Sequence, residues 1–257
     1  MKKKPLILVT NDDGTFAPGI AALVEVAQKH GDVVVVAPDS PQSAKGHAIT
    51  ISDPIRLKAI DHFGDIEAYA CSGTPVDCVK LAKNVVFKDR NIDLCVSGIN
   101  HGSNASINII YSGTLSAAME ASIEGIPSIG FSLLDYSFEA DMSGSKVYAD
   151  KVIGEMLKNG MGKGNLLNVN IPKLPADQIK GIRVCRQGEG YWNENFKEAL
   201  DPRGQKYYWL TGEFGGEFEN PETDLYALDN GYVSVVPSSH DLTNYHALKA
   251  LKSLEDA

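Results

Sequence analysis

The stretch "LILVTNDDGTF", from Leu6 to Phe16, decides the fold prediction. Its first half is continuously apolar instead of alternating, which is typical of a strand buried on both faces of a parallel sheet. Two carboxylates, Asp12 and Asp13, follow where that run stops. Adjacent like charges are costly unless something positive lies between them. The stretch therefore predicts a buried strand that ends at a pair of cation-binding carboxylates.

The first strand is predicted to begin a strand–helix–strand unit. Residues Ile20–Lys29 carry apolar side chains at helical spacing, and Val33–Ala37 is a second apolar run. The same alternation continues along the chain. Further helices are predicted from Thr74 onward, over Gly113–Gly125 and over Ser145–Lys158, and further strands over Ile92–Val96, Pro127–Phe131 and Leu166–Ile171. This order predicts an α/β fold with a doubly wound, mostly parallel sheet.

Three segments between these elements are predicted as two loops and a pair of strands. Asp39–Gly46 is polar and is predicted as a loop, and Ser97–Ser112 is rich in Gly, Asn and Ser and is predicted as a long loop. His47–Ala70 alternates between apolar and polar residues, which indicates a pair of strands.

The chain changes character beyond Val184. Aromatic residues cluster and glycines interrupt the pattern, which indicates β-hairpins or extended arms. We therefore expect a single domain over residues 1–257. Its α/β core would span residues 1–185, and arms over residues 186–257 would contact a partner subunit.

Composition limits the classes of function. The chain has 257 residues, 43% of them apolar and 22% charged, with a formal net charge of −9, so binding to a nucleic-acid polymer is not expected. No segment is long enough to span a bilayer, and the N-terminus does not have the pattern of a signal peptide. The four cysteines match no zinc spacing, which favours reduced, core-filling thiols in a cytoplasmic protein. They are Cys71, Cys78, Cys95 and Cys185.

Ligands of doubly wound sheets bind beyond the carboxyl ends of the strands. Asp12 and Asp13 follow the first predicted strand, Ser43 follows the second, and Asn100 follows the Ile92–Val96 strand. All four offer hard oxygen donors, a set that suits Mg²⁺ or Mn²⁺ better than zinc. Each also has an ordinary interpretation, since Asn-Asp-Asp-Gly is common turn chemistry, and a loop serine or asparagine can simply cap or turn the chain.

A second motif, "YSGT" over Tyr111–Thr114, lies at the start of a predicted helix. Free N–H groups at a helix N-terminus bind anions, although Ser112 or Thr114 could equally be an ordinary N-cap. Metal and anion site together indicate metal-assisted phosphate-ester hydrolysis, in which the ion activates water and stabilises charge on phosphoryl oxygens. The candidate substrate- and phosphate-binding residues are Asn11, Asn104, Ser112, Gly113 and Thr114.

Four blocks, "TNDDG", "APDSPQSAKGHAIT", "SGINHGSN" and "YSGT", closely resemble the SurE survival-protein family in order and spacing. The resemblance covers essentially the whole chain. It implies a Rossmann-like core, hydrolysis of nucleoside 5′-monophosphates by a metal-dependent 5′-nucleotidase, and one Mg²⁺ or Mn²⁺ per subunit. It also implies homodimers or tetramers with exchanged C-terminal arms. The family's metal positions fall on Asp12, Asp13, Ser43 and Asn100.

The chain departs from the family pattern at two places. Ala44 follows the metal-binding serine where the family commonly has glycine, and Ala105 and Ser106 follow Asn104 where it commonly has leucine and glycine. No metal donor is lost. The departures bear on the loop over the substrate, and so on base preference, more than on the chemistry.

The expected catalytic residues are Asp12 and Asp13, one of which would orient or deprotonate the attacking water. His101 could protonate the leaving 5′-oxygen, or it could be a solvent-facing loop residue. Two alternatives stay open. A haloacid-dehalogenase-like phosphatase would need an aspartate nucleophile where this chain has Asn11, and a non-catalytic nucleotide-binding module would keep the fold without turnover. A dinucleotide-dependent oxidoreductase would need a G-x-G-x-x-G turn that is absent after the first strand.

Overall fold

A computed structural model describes residues 4–160 and 166–256. Within that part of the chain, the strands are β1 (Leu6–Thr10), β2 (Asp32–Pro38), β3 (Leu57–Ile60), β4 (Glu67–Cys71), β5 (Leu94–His101), β6 (Ser128–Leu133), β7 (Leu166–Ile171), β8 (Ile182–Val184), β9 (Gly190–Leu200), β10 (Lys206–Gly216) and β11 (Val233–Ser238). The α-helices are α1 (Pro18–Ala27), α2 (Pro75–Leu81), α3 (Gly113–Ile123), α4 (Ser143–Asn159), α5 (Asp224–Asp229) and α6 (Tyr245–Leu251). Shorter helical turns span Ala82–Val86, Ser106–Ile110 and Lys252–Asp256.

Nine of these strands form one sheet in the order β3-β4-β2-β1-β5-β6-β7-β11-β8. The six strands from β4 to β7 in that order are mutually parallel. β3 is antiparallel to β4, β11 is antiparallel to β7, and β8 is parallel to β11. The predicted α/β fold with a mostly parallel sheet is confirmed.

Strand β1 explains why its sequence is apolar throughout. Ile7 and Val9 belong to a core that includes α1 and α4, whereas Leu6 and Leu8 belong to the opposite core with α2 and α3. Successive side chains of a strand point to opposite faces, so helices on both faces require apolar residues at every position. The five apolar residues of β1 therefore already indicate a sheet that is covered by helices on both faces.

The topology places a crevice beside β1. From β1 the chain first adds β2 on one side and later returns to add β5 on the other. This reversal is a topological switch point, where loops leaving neighbouring strands diverge and open a ligand site. Asp12 and Asp13 follow β1 and lie at the edge of this crevice.

The prediction of a loop over residues 97–112 is wrong in two parts. β5 continues to His101, and Ser106–Ile110 forms a short 3₁₀ helix. The pairing of β5 with β6 slips by one residue between Ser97 and Asn100, as in a β-bulge. Gly98 permits this, because a Cβ at that position would lie 2.3 Å from the backbone oxygen of Phe131. The composition that predicted a loop marks a bulged strand end.

The prediction of a strand pair over residues 47–70 is confirmed in kind, but the strands are limited to β3 and β4. The prediction that residues 186–257 form only arms is wrong for β11, which lies in the main sheet between β7 and β8. The valines of β11 are buried, so this segment completes the core. The sequence boundary at residue 185 therefore does not divide core from arm.

The predicted β-hairpin does exist. β9 and β10 pair over eleven residues each, outside the main sheet, and most of their side chains are exposed. All four cysteines are buried and free, as predicted. Of the helices in the described part of the chain, none combines the length and apolar composition needed to cross a bilayer.

Candidate active site

The end of β1 closes into a tight turn through Asn11. Its Nδ2 donates to the backbone oxygen of Gly14 (2.9 Å), and the Gly14 N–H donates back to Asn11 Oδ1 (3.2 Å). Gly14 has a φ of +99°, a conformation that favours glycine. Both polar atoms of the Asn11 side chain are therefore used within the turn. The structure does not bring this side chain into the cavity, and its role is to fix where Asp12 and Asp13 point.

Asp12 is enclosed by the start of helix α3. Its side chain is 4% exposed and accepts a hydrogen bond from the Thr114 hydroxyl. Gly113 allows this approach, since a Cβ there would lie 2.7 Å from Asp12 Cβ. The N-terminus of α3 thus binds an anion, as the sequence predicts for this motif, but that anion is the Asp12 carboxylate. Thr114 supports the carboxylate instead of pointing into open space.

The charged forms of both carboxylates are destabilised by their surroundings. Burial, and then the charge of Asp13, raises the pKa of Asp12 from 3.8 to about 6, against the lowering effect of the Thr114 hydrogen bonds. Burial also raises the pKa of Asp13, although His101 opposes this. In residues 4–160 and 166–256, no lysine or arginine forms an ion pair with either carboxylate. A cation would relieve both causes of strain.

A cavity of about 650 Å³ lies over these carboxylates. Asp12, Ser43 and Asn100 line it together, so the segment after β1, the loop after β2 and the end of β5 meet at one edge of the sheet. The Asn100 amide donates its N–H to the backbone oxygen of Gly102 (2.9 Å), which leaves Oδ1 as a possible cation ligand. Asp13 is adjacent, and its Oδ2 accepts a long hydrogen bond, 3.4 Å, from the backbone N–H of His101.

The loop that carries Ser43 is fastened to the site at both sides. The backbone N–H of Gln42 donates to the Asp12 backbone oxygen (2.7 Å), and that of Gly46 donates to the Tyr111 oxygen (3.3 Å). The donor set that results is two carboxylates plus a hydroxyl and an amide oxygen. The described residues contain no cluster of three or more His, Cys, Asp or Glu side chains that could hold a metal ion. An oxygen-only donor set of this kind suits a hard divalent ion better than zinc.

Asn104 and Ser112 line the same cavity. The Ser112 Oγ accepts from the backbone N–H of Leu115 (3.0 Å), so it is the N-cap of α3, and its own hydroxyl hydrogen is free to donate. Asn104 donates one amide hydrogen to Ser132 Oγ (2.8 Å) and keeps the second. Both side chains can offer a hydrogen to an anion in the cavity.

His101 also lines the cavity. The ring Nδ1 lies 2.8 Å from the backbone oxygen of Ser137, so Nδ1 carries the hydrogen of that bond. Nε2 is buried and has no hydrogen-bond partner among the described residues. The ring packs against Phe138, with 5.3 Å between ring centroids. His101 is thus held at the cavity wall by the Ser137 bond and the Phe138 contact, and the residue is partly exposed.

Two non-glycine residues near the site adopt left-handed backbone conformations. They are Ala44, with φ of 58°, and Ser106, with φ of 56°. Both are positions where the sequence resemblance leads us to expect glycine. At Ser106, two hydrogen bonds offset the cost of this backbone conformation. Its Oγ donates to the backbone oxygen of Gly188 (2.7 Å), and its N–H donates to Asp224 Oδ2 (2.8 Å). Ala44 is exposed and makes no comparable bond.

Sequence reasoning missed one wall of the cavity. Tyr136 of this wall comes from the loop after β6. The other residues come from the root of the β9–β10 hairpin, meaning the part of the two strands between the Gly190–Gly216 pair and the middle of the hairpin, and they are Trp192, Glu194, Leu210, Thr211 and Gly212. The sequence indicated only that an aromatic-rich arm was present. A hydrogen bond from Trp192 Nε1 to Asn108 Oδ1 (2.8 Å) joins this wall to the site across 84 positions of the sequence.

The fold and site together define an α/β protein that gathers oxygen ligands for a hard cation at the topological switch point of its sheet. The family profile "Survival protein SurE" matches residues 7–194, and the chain belongs to the SurE family. The resemblance predicted from the four sequence blocks is confirmed.

Individual relatives match over nearly the whole length. The chain is 58% identical over 254 residues to the 5′-nucleotidase SurE of Christiangramia forsetii, covering 98% of this chain and 97% of that protein. It is 42% identical over 254 residues to the 5′-nucleotidase SurE of Bacteroides fragilis, covering 98% of each. The crystal structure of the SurE protein from Aquifex aeolicus superposes with a TM-score of 0.85 at 42% identity, covering 98% of this chain and all of that one.

Proposed function

We propose that the chain is a 5′-nucleotidase that hydrolyses nucleoside 5′-monophosphates to nucleosides and phosphate with one Mg²⁺ or Mn²⁺ per subunit. Full-length relatives at up to 58% identity bear the name 5′-nucleotidase. The observation that carries the proposal is the buried Asp12 carboxylate, which lines the cavity together with the neutral oxygen donors Ser43 and Asn100. Neither Asp12 nor the adjacent Asp13 forms an ion pair with a lysine or arginine among the described residues. Such a site attracts a divalent ion without rejecting an anionic substrate.

Asp12, Asp13, Ser43 and Asn100 would hold the ion. When bound, the ion would activate water and neutralise charge on the phosphoryl oxygens. Thr114 and the start of α3 keep Asp12 in one orientation, so this carboxylate acts as a fixed ligand. Asp13 is half-buried and is not bonded to α3, so we assign it the role of orienting the water and accepting its proton.

The hydrogens of Ser112 and Asn104 that have no partner among the described residues would hold the phosphate. His101 lines the same cavity, and we assign its ring as the donor to the leaving 5′-oxygen. In that role the ring must be protonated at both nitrogens before it can donate.

Phosphate release from AMP and GMP with added MnCl₂, with and without EDTA, tests the activity. Asp13→Asn should abolish Mn²⁺ binding and release, whereas Asp89→Asn, at an exposed aspartate away from the cavity, should change neither. Release that persists in EDTA, or an active Asp13→Asn enzyme, would refute the site assignment. Nucleotide binding without release would favour the non-catalytic module.

A haloacid-dehalogenase-like mechanism is the competing enzymatic hypothesis. Its nucleophile would occupy position 11, where Asn11 is 1% exposed and bonded into its own turn. Mass spectrometry of enzyme quenched during turnover distinguishes the two, because only that mechanism predicts a phosphorylated aspartate.

We also propose that the protein is a cytoplasmic homodimer or tetramer that binds neither membranes nor nucleic-acid polymers. Four free, buried cysteines suit a reducing compartment, and the net charge of −9 disfavours polyanions. The exposed aromatic side chains of β9 and β10 suit contact with a partner subunit. Light scattering after gel filtration measures the assembly.

A further inference from the structure

We infer that the root of the β9–β10 hairpin binds the nucleobase, with the indole ring of Trp192 stacked on it. Side chains alternate along a strand, so Trp192 and Glu194 share one face of β9. Gly212 pairs directly with Glu194 across the hairpin. Because Trp192, Glu194, Leu210 and Gly212 all line the cavity over Asp12, this face of the hairpin forms a wall of the site.

Trp192 is held in a defined orientation. Its Nε1 donates to Asn108 Oδ1 (2.8 Å), and its ring meets Phe214 edge-on, with centroids 5.5 Å apart and planes at 66°. The ring is 39% exposed in spite of these contacts. With its N–H already bonded, the indole can offer a ligand only an aromatic face, which suits stacking on a base.

The root of the hairpin is fastened to the phosphate end of the cavity. The Asp224 carboxylate accepts from the backbone N–H of Ser106 through Oδ2 and from that of Gly188 through Oδ1, each at 2.8 Å. Gly188 lies two residues before the start of β9, and Ser106 begins the 3₁₀ helix that carries Asn108. These bonds fix the position of the hairpin relative to the proposed phosphate-binding residues. The base and the phosphate would therefore bind to parts of the protein that are held at a constant distance.

The charges of the cavity favour a neutral ring at this end. Its lining contains no lysine or arginine among the described residues, and Glu194 adds a carboxylate beside Trp192. A second phosphate group would be repelled there, whereas a base can stack and donate N–H groups to Glu194. The volume of about 650 Å³ is in the range typical of small-molecule sites. This inference rests on the proposed nucleotidase function for the placement of the phosphate.

The test compares AMP with ribose 5-phosphate, which has no base. Trp192→Ala should raise KM for AMP roughly five- to a hundredfold, the range that one stacked base contributes, and should leave KM for ribose 5-phosphate unchanged. Trp192→Phe keeps an aromatic face without the N–H and should retain most of the affinity for AMP. Trp209→Ala is the control, because Trp209 is an exposed tryptophan of β10 outside the cavity lining. Equal losses for both substrates, or no loss for AMP, would overturn the inference.

A second measurement separates this inference from the proposed function. Saturation-transfer NMR with adenosine requires neither metal nor turnover. If no phosphomonoester is hydrolysed, the nucleotidase proposal fails, but transfer to the base protons in the wild type that disappears in Trp192→Ala still supports the base site. No transfer to these protons in the wild-type protein would refute it.

Discussion

Replacing Asp12 by asparagine should stabilise the metal-free protein while removing its cation site. The ionised Asp12 side chain is 4% exposed and lies beside a second carboxylate, and burial contributes most to the rise of its pKa to about 6. A rise from 3.8 corresponds to about 3 kcal/mol of unfolding free energy, at about 1.36 kcal/mol per pKa unit. Asparagine is nearly the same shape and carries no charge, so the variant avoids that cost.

The sign of the pH dependence follows from the direction of the shift. The folded state binds the Asp12 proton more tightly than the unfolded state, so the ionisation cost is absent well below pH 3.8 and complete above about pH 6. The stability gain of Asp12→Asn should therefore be about 1 kcal/mol near pH 4.5 and about 3 kcal/mol near pH 7.5. These are upper values, because one amide hydrogen of asparagine faces donors at the start of α3.

Urea unfolding in EDTA at both pH values, at fixed protein concentration, measures this gain. Asp89→Asn serves as the exposed control and should show no gain at either pH. Added MnCl₂ should reverse the order by stabilising the wild type alone. A variant less stable than the wild type at pH 7.5 in EDTA, or a gain that does not depend on pH, would refute the reasoning.

Three other perturbations follow from the same geometry. The affinity for Mn²⁺ should fall as pH drops below about 6, because Asp12 must lose its proton to bind; a dissociation constant by calorimetry that is flat from about pH 5 to pH 7.5 would contradict this. Ala44→Gly should raise the unfolding free energy by up to about 1 kcal/mol by relieving a left-handed alanine, and a destabilised variant would argue against that strain. Ser106→Ala should lower it by about 1–3 kcal/mol, since the Gly188 carbonyl loses its buried donor; unchanged urea unfolding would show the bond to be dispensable.

The features that the sequence predicted correctly are those set by local pattern. The apolar run before Asp12 has only one stable environment, a strand covered on both faces, and β1 lies there. Thr74 followed by Pro75 predicted the start of α2, and Thr74 is its N-cap. Asp12 and Ser43 follow β1 and β2, and Asn100 lies near the end of β5, so the parallel arrangement of these strands brings all three to one edge.

The predictions that failed depend on contacts distant in sequence. Residues 97–101 have the composition of a loop, yet they continue β5, because β6 supplies hydrogen bonds across a bulge that no local pattern reveals. β11 follows the hairpin and was predicted as part of an arm, but its buried valines fill a place beside β7. In both cases the strand that pairs with the segment is distant in sequence, so no local pattern indicates it. The burial of apolar side chains determines which strands pair.

The sequence by itself determined the layered α/β fold and the oxygen-donor chemistry of the site, because hydrophobic period and residue type act over a few positions. Only the tertiary structure decided which carboxylate is held by α3, that Asn11 closes a turn, and that Trp192 forms a wall of the cavity. Each of these depends on the direction of a side chain in space. That direction is set by packing between distant segments, which the order of residues along the chain does not express.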